Sequence, residues 1–514
     1  MSNQFGAKAV LRSVLLTTGS TYVTYAAGLV TSMLIARGLG PADYGRYAYL
    51  VWLSGLLVLV MNHGLTTSAI RFVSESLGRK SLVDAQDVHR RLQRWQGWSL
   101  LAVGAIFLAA LPALRPAGWE GHLALFAAVA LLASFAKAWY LFSISVAKGY
   151  GRFGIEASSI SLLSLINLAG AGIMALLGMP LDGYMLLFLA ISIAHPLMAA
   201  RQLRRAEIRK GSREIDDELL ARVKPHLAWT TVSTLVAAFS NKAIETYLLN
   251  RLVGAEAVGF FTIAATLARG GVDLLSSGLM TVLMPVLANA YGAGGQERIH
   301  RLGGDAVRYF HFLGLLLTGV GYFWARPVVE LTYGSSYAPA IFALQMMVLV
   351  RGVTLSYAAF GALLTITDNQ RLRAAEALFA VVTSAGMALW LVPTHGLEGA
   401  IYAHMASTLA VFLFTFGCVW WVLRMPLPLG ELMRMSAAAL SAAALCFGVL
   451  SLSEAPTLLH QLLAGLLYVV LYLLSTLVFK AWNQHDVAML DQLGQRVPAL
   501  RRLAVLLVPW ARAT

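Results

Sequence analysis

The chain has 514 residues, 58% of them hydrophobic and only 12% charged, with a mean hydropathy of +0.70. Soluble domains carry roughly a quarter charged residues, so this composition excludes a water-soluble globular protein and makes the bilayer the solvent. The net charge of +14 then becomes a question of where basic residues fall relative to the membrane, and it does not indicate nucleic acid as a partner.

A bilayer core needs about 20 apolar residues per helix. Such runs are predicted at roughly 13–35, 47–69, 95–114, 123–147, 156–177, 183–200 and 227–249. Seven more follow at roughly 258–285, 309–325, 338–366, 374–394, 397–423, 435–453 and 457–479, giving about fourteen spans. The first run is too long for a signal-peptide core and is expected to remain as a helix. Counted with the N-terminus inside, the alternate connections hold 30 Lys and Arg on the inner side against 5 on the outer side. Cytoplasmic loops carry that excess, so both termini are expected in the cytoplasm. Trp95, Trp98, Trp229, Trp324, Trp420, Trp421 and Trp482 fall near predicted helix ends, where an amphipathic ring prefers the headgroup layer. The connections are too short to fold as separate domains. Segments 70–94, 201–226 and 483–514 mix basic and apolar residues, as helices lying on an anionic leaflet do, and equally as solvated connectors do.

The first interhelix loop, Arg37-Gly-Leu-Gly-Pro-Ala-Asp-Tyr-Gly45, recurs after the seventh span as Arg251-Leu-Val-Gly-Ala-Glu-Ala-Val-Gly259, at an offset of 214. Leu181-Asp182-Gly183 recurs as Leu397-Glu398-Gly399 at an offset of 216. Both echoes keep the same membrane orientation, which predicts an all-α polytopic protein whose helices 1–6 and 7–12 form two lobes related by a parallel pseudo-twofold axis. The expected division is an N-lobe at 1–205, a cytoplasmic linker at 206–226, a C-lobe at 227–424, two extra helices at 425–480 and a cytoplasmic amphipathic tail at 481–514. Two such lobes rocking about a shared interface point to alternating-access transport.

Six charged residues fall well inside predicted spans: Lys137, Lys242, Glu245, Arg269, Asp273 and Arg351. Each is unfavourable by roughly 2.5–3.5 kcal/mol at a helix centre, so they are expected to face protein or a wet cavity. Lys242 with Glu245 and Arg269 with Asp273 are spaced to share a helix face. Four cations against two carboxylates leave positive charge for an anionic substrate such as a diphosphate, whose oxygens suit the Arg fork. Lys137, Lys242, Arg269 and Arg351 are therefore the candidate substrate-binding residues. Glu245 and Asp273 are candidates for ion coupling, with simple pairing to the neighbouring cation the plainer alternative. Gly270 and Gly271 could let that helix unwind at a cavity, or serve close packing. No cofactor, metal site or catalytic group is indicated: His63, His195, His311 and His404 lack metal-ligand spacing, and Cys418 and Cys446 lie in apolar runs. Gly149-Tyr-Gly151-Arg-Phe-Gly154 matches a dinucleotide fingerprint literally but lacks its strand, and is read as a tight loop.

Four segments carry a family resemblance: Ala36-Arg-Gly-Leu-Gly-Pro-Ala-Asp-Tyr-Gly-Arg-Tyr47, Lys148-Gly-Tyr-Gly-Arg-Phe153, Val258-Gly-Phe-Phe-Thr-Ile-Ala264 and Tyr333-Gly-Ser-Ser-Tyr-Ala338. They resemble the bacterial polysaccharide transporter family, the lipid-linked oligosaccharide flippases of the multidrug/oligosaccharidyl-lipid/polysaccharide exporter (MOP) superfamily. The resemblance implies a two-lobe inner-membrane transporter, not an enzyme, that moves an undecaprenyl-diphosphate-linked sugar unit between leaflets and that works beside polymerase or synthase components. Helix 7 departs from the family's Arg-x-Asp-like pair in carrying Lys242 and Glu245. Competing readings are a peptidoglycan-precursor flippase, a drug or cation antiporter of the same superfamily and, weakest because the outer loops are short, a polytopic polymerase or ligase.

Overall fold

The structure is a computed structural model that describes residues 7–114, 116–240, 243–367, 369–454, 456–482 and 486. The described residues form helices and turns and no strand. The helices are α1 (Ala7–Asn62), α2 (Leu65–Gly78), α3 (Leu82–Leu114), α4 (Leu123–Gly149), α5 (Gly154–Leu176), α6 (Leu181–Arg205), α7 (Asp217–Ser240), α8 (Ala243–Leu248) and α9 (Ala255–Ala268). They continue as α10 (Leu275–Thr332), α11 (Pro339–Val353), α12 (Tyr357–Ile366), α13 (Gln370–Trp421), α14 (Leu429–Ser451) and α15 (Leu458–Val478). Wider π-helical turns occupy Leu249–Val253 and Arg269–Leu274.

Among the described residues, nine helices are long and apolar enough to cross a membrane, or ten if the bent pair α11–α12 is one span. A polytopic helical membrane protein is therefore established, whereas the number fourteen is not. Element counting merges helices: α1, α10 and α13 each pass through a glycine in a non-helical conformation, Gly40, Gly295 and Gly396. At 1.5 Å per residue, the 52 residues of α13 exceed the roughly 30 Å hydrocarbon core more than twofold, so such an element cannot be one straight span.

The chain divides into two compact units, Met1–Thr262 with Ser384–Ala403, and Ile263–Thr383 with His404–Thr514. In the first, α1 packs on α4 and α5, and α4 packs on α6. Segments 70–94 and 201–226 contribute to its basic end. Leu65, Phe72, Val73, Val88, Leu92, Phe142, Val146, Ile215 and Val223 form one buried cluster there, so apolar residues of these segments face one another. The connection between α6 and α7 is strapped across α3: Gly211 N–H donates to Gln86 O at 2.9 Å, Arg213 N–H to Asp87 Oδ1 at 3.2 Å, and Arg94 pairs with Glu214 at 3.3 Å. A Cβ on Gly211 would lie 1.8 Å from Asp87 Oδ1, so only glycine lets the strap lie this close. Burial, aided by the charge of Lys210, pushes the His89 imidazole beneath the strap down to about 4. Burial works against ionised Glu75, but Arg222, Arg79 and Arg71 around it hold its carboxyl below the usual range.

In the second unit α10 packs on α11, α12, α14 and α15. Arg308, 2% exposed, pairs with Asp305 at 3.2 Å and Asp486 at 2.5 Å, and Tyr309 donates to Asp486 at 2.6 Å. Residues 483–485 and 487–514 lie outside the described residues, so the reading of the tail as amphipathic is outside them too. Trp98, Trp229 and Trp421 are exposed; Trp421 closes α13, whereas Trp98 and Trp229 fall in the middle of α3 and α7. The indole N–H groups of Trp324 and Trp482 donate within the protein, to Leu462 O and Thr476 Oγ1, both at 3.0 Å. Cys446 is buried with its thiol on Ala464 O.

Candidate functional site

The repeated loops adopt corresponding conformations. Gly40 has φ 74° and ψ 173°, and Gly254 has φ 129° and ψ 172°, a left-side φ with extended ψ that non-glycine residues adopt only under strain. Both are followed directly by a helical segment. The second glycines of the two copies meet: a Cβ on Gly259 would lie 3.2 Å from Gly45 Cα, and one on Gly45 would lie 2.0 Å from Ala255 O. Equivalent positions in contact are what a pseudo-twofold axis passing between the loops produces. The loop after α3 joins them, with Ala117 N–H donating to Asn250 Oδ1 at 3.0 Å and Gly118 packed on the Arg46 guanidinium.

Lys137 lies mid-helix in α4 with Nζ 4.2 Å above the centroid of the Phe188 ring of α6. Among the described residues no carboxylate comes within ion-pair distance of it, and its partner is a π face. Next to Phe188 on α6, His195 stacks edge-on against Tyr140 at 4.8 Å and bonds Ile191 O at 2.7 Å. In the second unit Arg269 opens the π-helical turn Arg269–Leu274 and is exposed. That turn, which contains Gly270 and Gly271, packs against α11, and Arg351 sits half-buried in the last turn of α11. Directly after Arg351 the span breaks, with α11 and α12 meeting at 42°. The structure thus brings the elements of Arg269 and Arg351 together within one unit and places Lys137 in the other.

Lys242 lies outside the described residues, as does the Asp273 side chain, so neither predicted same-face pair is described. Glu245 is 1% exposed and accepts a hydrogen bond from Ser384 Oγ at 2.9 Å. Ser384 was not among the expected site residues, and neither was a second buried carboxylate, Glu376. It is 4% exposed, pairs with Arg373 at 2.8 Å and accepts a hydrogen bond from Tyr357, the first residue of α12. The Arg373/Glu376 spacing was a usable signal, since Glu376 falls at the start of a predicted span. His63 and His311 bond Thr231 and Ser436, both at 2.9 Å, so both serve helix packing. The glycine-rich motif at 149–154 is the turn between α4 and α5, held to α2 by the Ser74 hydroxyl on Gly149 O at 2.9 Å.

The described fold is that of a helical membrane protein with an internal glycine-loop repeat and broken helices. The solved structures it resembles share this class of fold. The inward closed conformation of the lipid II flippase MurJ aligns at TM-score 0.70 with 13% identity, covering 91% of this chain and 98% of that one. An inward-facing multidrug resistance MATE family transporter of the MOP superfamily aligns at 0.65 with 17% identity over 78% and 94% of the two chains. A MOP superfamily transporter from Pyrococcus furiosus aligns at 0.53 with 18% identity over 82% and 97%. No curated protein matches the sequence. The polysaccharide biosynthesis protein family matches residues 10–290, more than half of the chain, and the chain belongs to that family.

Proposed function

We propose that this protein translocates a polyprenyl-diphosphate-linked oligosaccharide, an undecaprenyl-diphosphate-linked repeat unit in a bacterial inner membrane, for assembly of a surface polysaccharide. The observation that carries the reading is Lys137: a mid-membrane cation with an aromatic face for a partner suits a site whose counter-charge arrives with the substrate. Lys137, Lys242, Arg269 and Arg351 hold the diphosphate, and the Arg residues can grip two oxygens each. Two lobes, 1–205 and 227–424, alternate access, both termini face the cytoplasm, and Glu245 and Asp273 exchange the coupling ion. Polymerase or synthase components receive the product, and the protein itself catalyses no covalent step.

The test is reconstitution in vesicles with a fluorescent polyprenyl-diphosphate glycan in one leaflet. Transfer to the other leaflet is expected for the native protein and absent for Arg269→Ala and Arg351→Ala. Arg269→Lys should keep part of the activity, because charge remains while the fork is lost. Full transfer by both Ala variants at normal expression would refute the cationic site. The MurJ-like fold favours one second reading, a peptidoglycan-precursor flippase, and the same assay decides it by which lipid-linked glycan is moved. Reporter fusions test the orientation: periplasmic activity at Thr514 would overturn it.

A further inference from the structure

A helix break also lies in the first unit. The helix α1 stops at Asn62, His63 turns with φ 24°, and α2 begins at Leu65. The break cannot simply anneal. A Cβ on Gly64 would lie 2.1 Å from Thr230 Oγ1, so α7 is pressed against it, and His63 Nδ1 is tied to Thr231 Oγ1 at 2.9 Å. From α3, Ser99 Oγ–H and Gln96 Nε2–H donate to Met61 O at 2.7 and 3.3 Å.

Around this turn three deeply buried polar side chains have atoms without a hydrogen-bond partner. Asn62, 5% exposed, leaves both amide atoms unused, Gln96, fully buried, leaves Oε1, and Ser68, fully buried and one turn into α2, leaves Oγ. Buried polar groups are nearly always satisfied, so their grouping at one break points to a bound ligand. Its chemistry follows from the donors. Asn62 Oδ1, Gln96 Oε1 and Ser68 Oγ are neutral, hard oxygens, which favour alkali and alkaline-earth cations over softer metals. Asn62 is also the last residue of α1, where the helix dipole presents partial negative charge. Among the described residues no carboxylate hydrogen-bonds to these side chains, so the set can offset one positive charge but not two. In transporters, the C-terminal ends of broken membrane helices are where coupling cations are held.

We propose that the Asn62–Gly64 break binds a single monovalent cation, sodium, through Asn62, Gln96 and Ser68, and that occupancy sets the angle between α1 and α2. The proposed ligand set does not include Glu245 or Asp273. The experiment is thermal unfolding of the purified full chain, with NaCl replacing choline chloride or KCl at constant ionic strength. Sodium is expected to raise the unfolding temperature by at least about 2 °C, since a ligand that binds only the folded state stabilises it by mass action. The rise is expected to vanish in Gln96→Leu and to persist in Glu245→Gln. In Asn62→Asp, which adds a carboxylate and does not depend on tolerance of an apolar replacement, half-saturation should fall at least about tenfold. No sodium-specific rise in the native protein would mean that the break holds water only and would overturn the proposal. So would a rise with unchanged half-saturation in Asn62→Asp, or one lost in Glu245→Gln.

Discussion

Replacing Lys137 with Met separates a binding role from a structural one, because the two predict opposite signs of stability change. The ammonium stands mid-helix in α4 with the Phe188 ring at 4.2 Å as its partner. Removing a charge from a span centre relieves roughly 2.5–3.5 kcal/mol. Losing the cation–π contact costs about 0.5–2 kcal/mol. Met keeps the unbranched stem and most of the volume, so packing changes little. The variant should therefore be more stable than the native protein by about 0.5–3 kcal/mol, yet fail to move a diphosphate-linked lipid. That combination is characteristic of a residue kept for function at the expense of stability. Denaturant unfolding in detergent measures the first quantity and leaflet transfer in vesicles the second. A Lys137→Met protein that loses more than about 1 kcal/mol while transporting normally would refute the reasoning and make Lys137 a packing residue.

Three further outcomes are expected. Gly45→Ala, whose Cβ would lie 2.0 Å from Ala255 O, should cost about 1–3 kcal/mol by forcing the repeated loops apart, whereas Gly55→Ala, with nothing within 4 Å, should be neutral or slightly stabilising; equal effects in a melting comparison would dismiss the loop contact as a constraint. Arg308→Met should cost about 3–5 kcal/mol because Asp486 is left charged and buried, and adding Asp486→Leu should restore most of it, a recovery that a double-mutant cycle measures. His89, whose pKa falls from 6.5 to about 4 on folding, takes up its proton more readily when unfolded. Its contribution is therefore intact above about pH 6.5 and declines as pH falls toward 4, by at most about 3 kcal/mol; His89→Leu should flatten that part of the pH–stability curve, and an unchanged curve would show that the imidazole is not held neutral beneath the strap.

Membrane insertion and turn sterics act on short stretches of chain, and what depends on them could be read in one dimension. The apolar runs, the glycine turns at Gly40 and Gly254 and the helix-to-helix turn at 149–154 all follow from local composition, because a span needs its own apolar length and a positive φ needs its own glycine. The repeat also marks the two loops whose Gly45 and Gly259 touch. Partnership between distant helices was not readable in this way. Glu245 accepts a hydrogen bond from Ser384, 139 residues along the chain, a partner that no local spacing announces. Segments 70–94 and 201–226 have the composition of leaflet-bound helices, yet their apolar faces cover each other, which only the approach of α2, α3 and α7 decides. The acceptors of Trp324 and Trp482, Leu462 O and Thr476 Oγ1, likewise follow from packing. The orphaned atoms of Asn62, Gln96 and Ser68 carry no sequence signature at all, since a polar side chain is unsatisfied only relative to the neighbours that folding supplies, and those neighbours are set by helix packing across the whole unit.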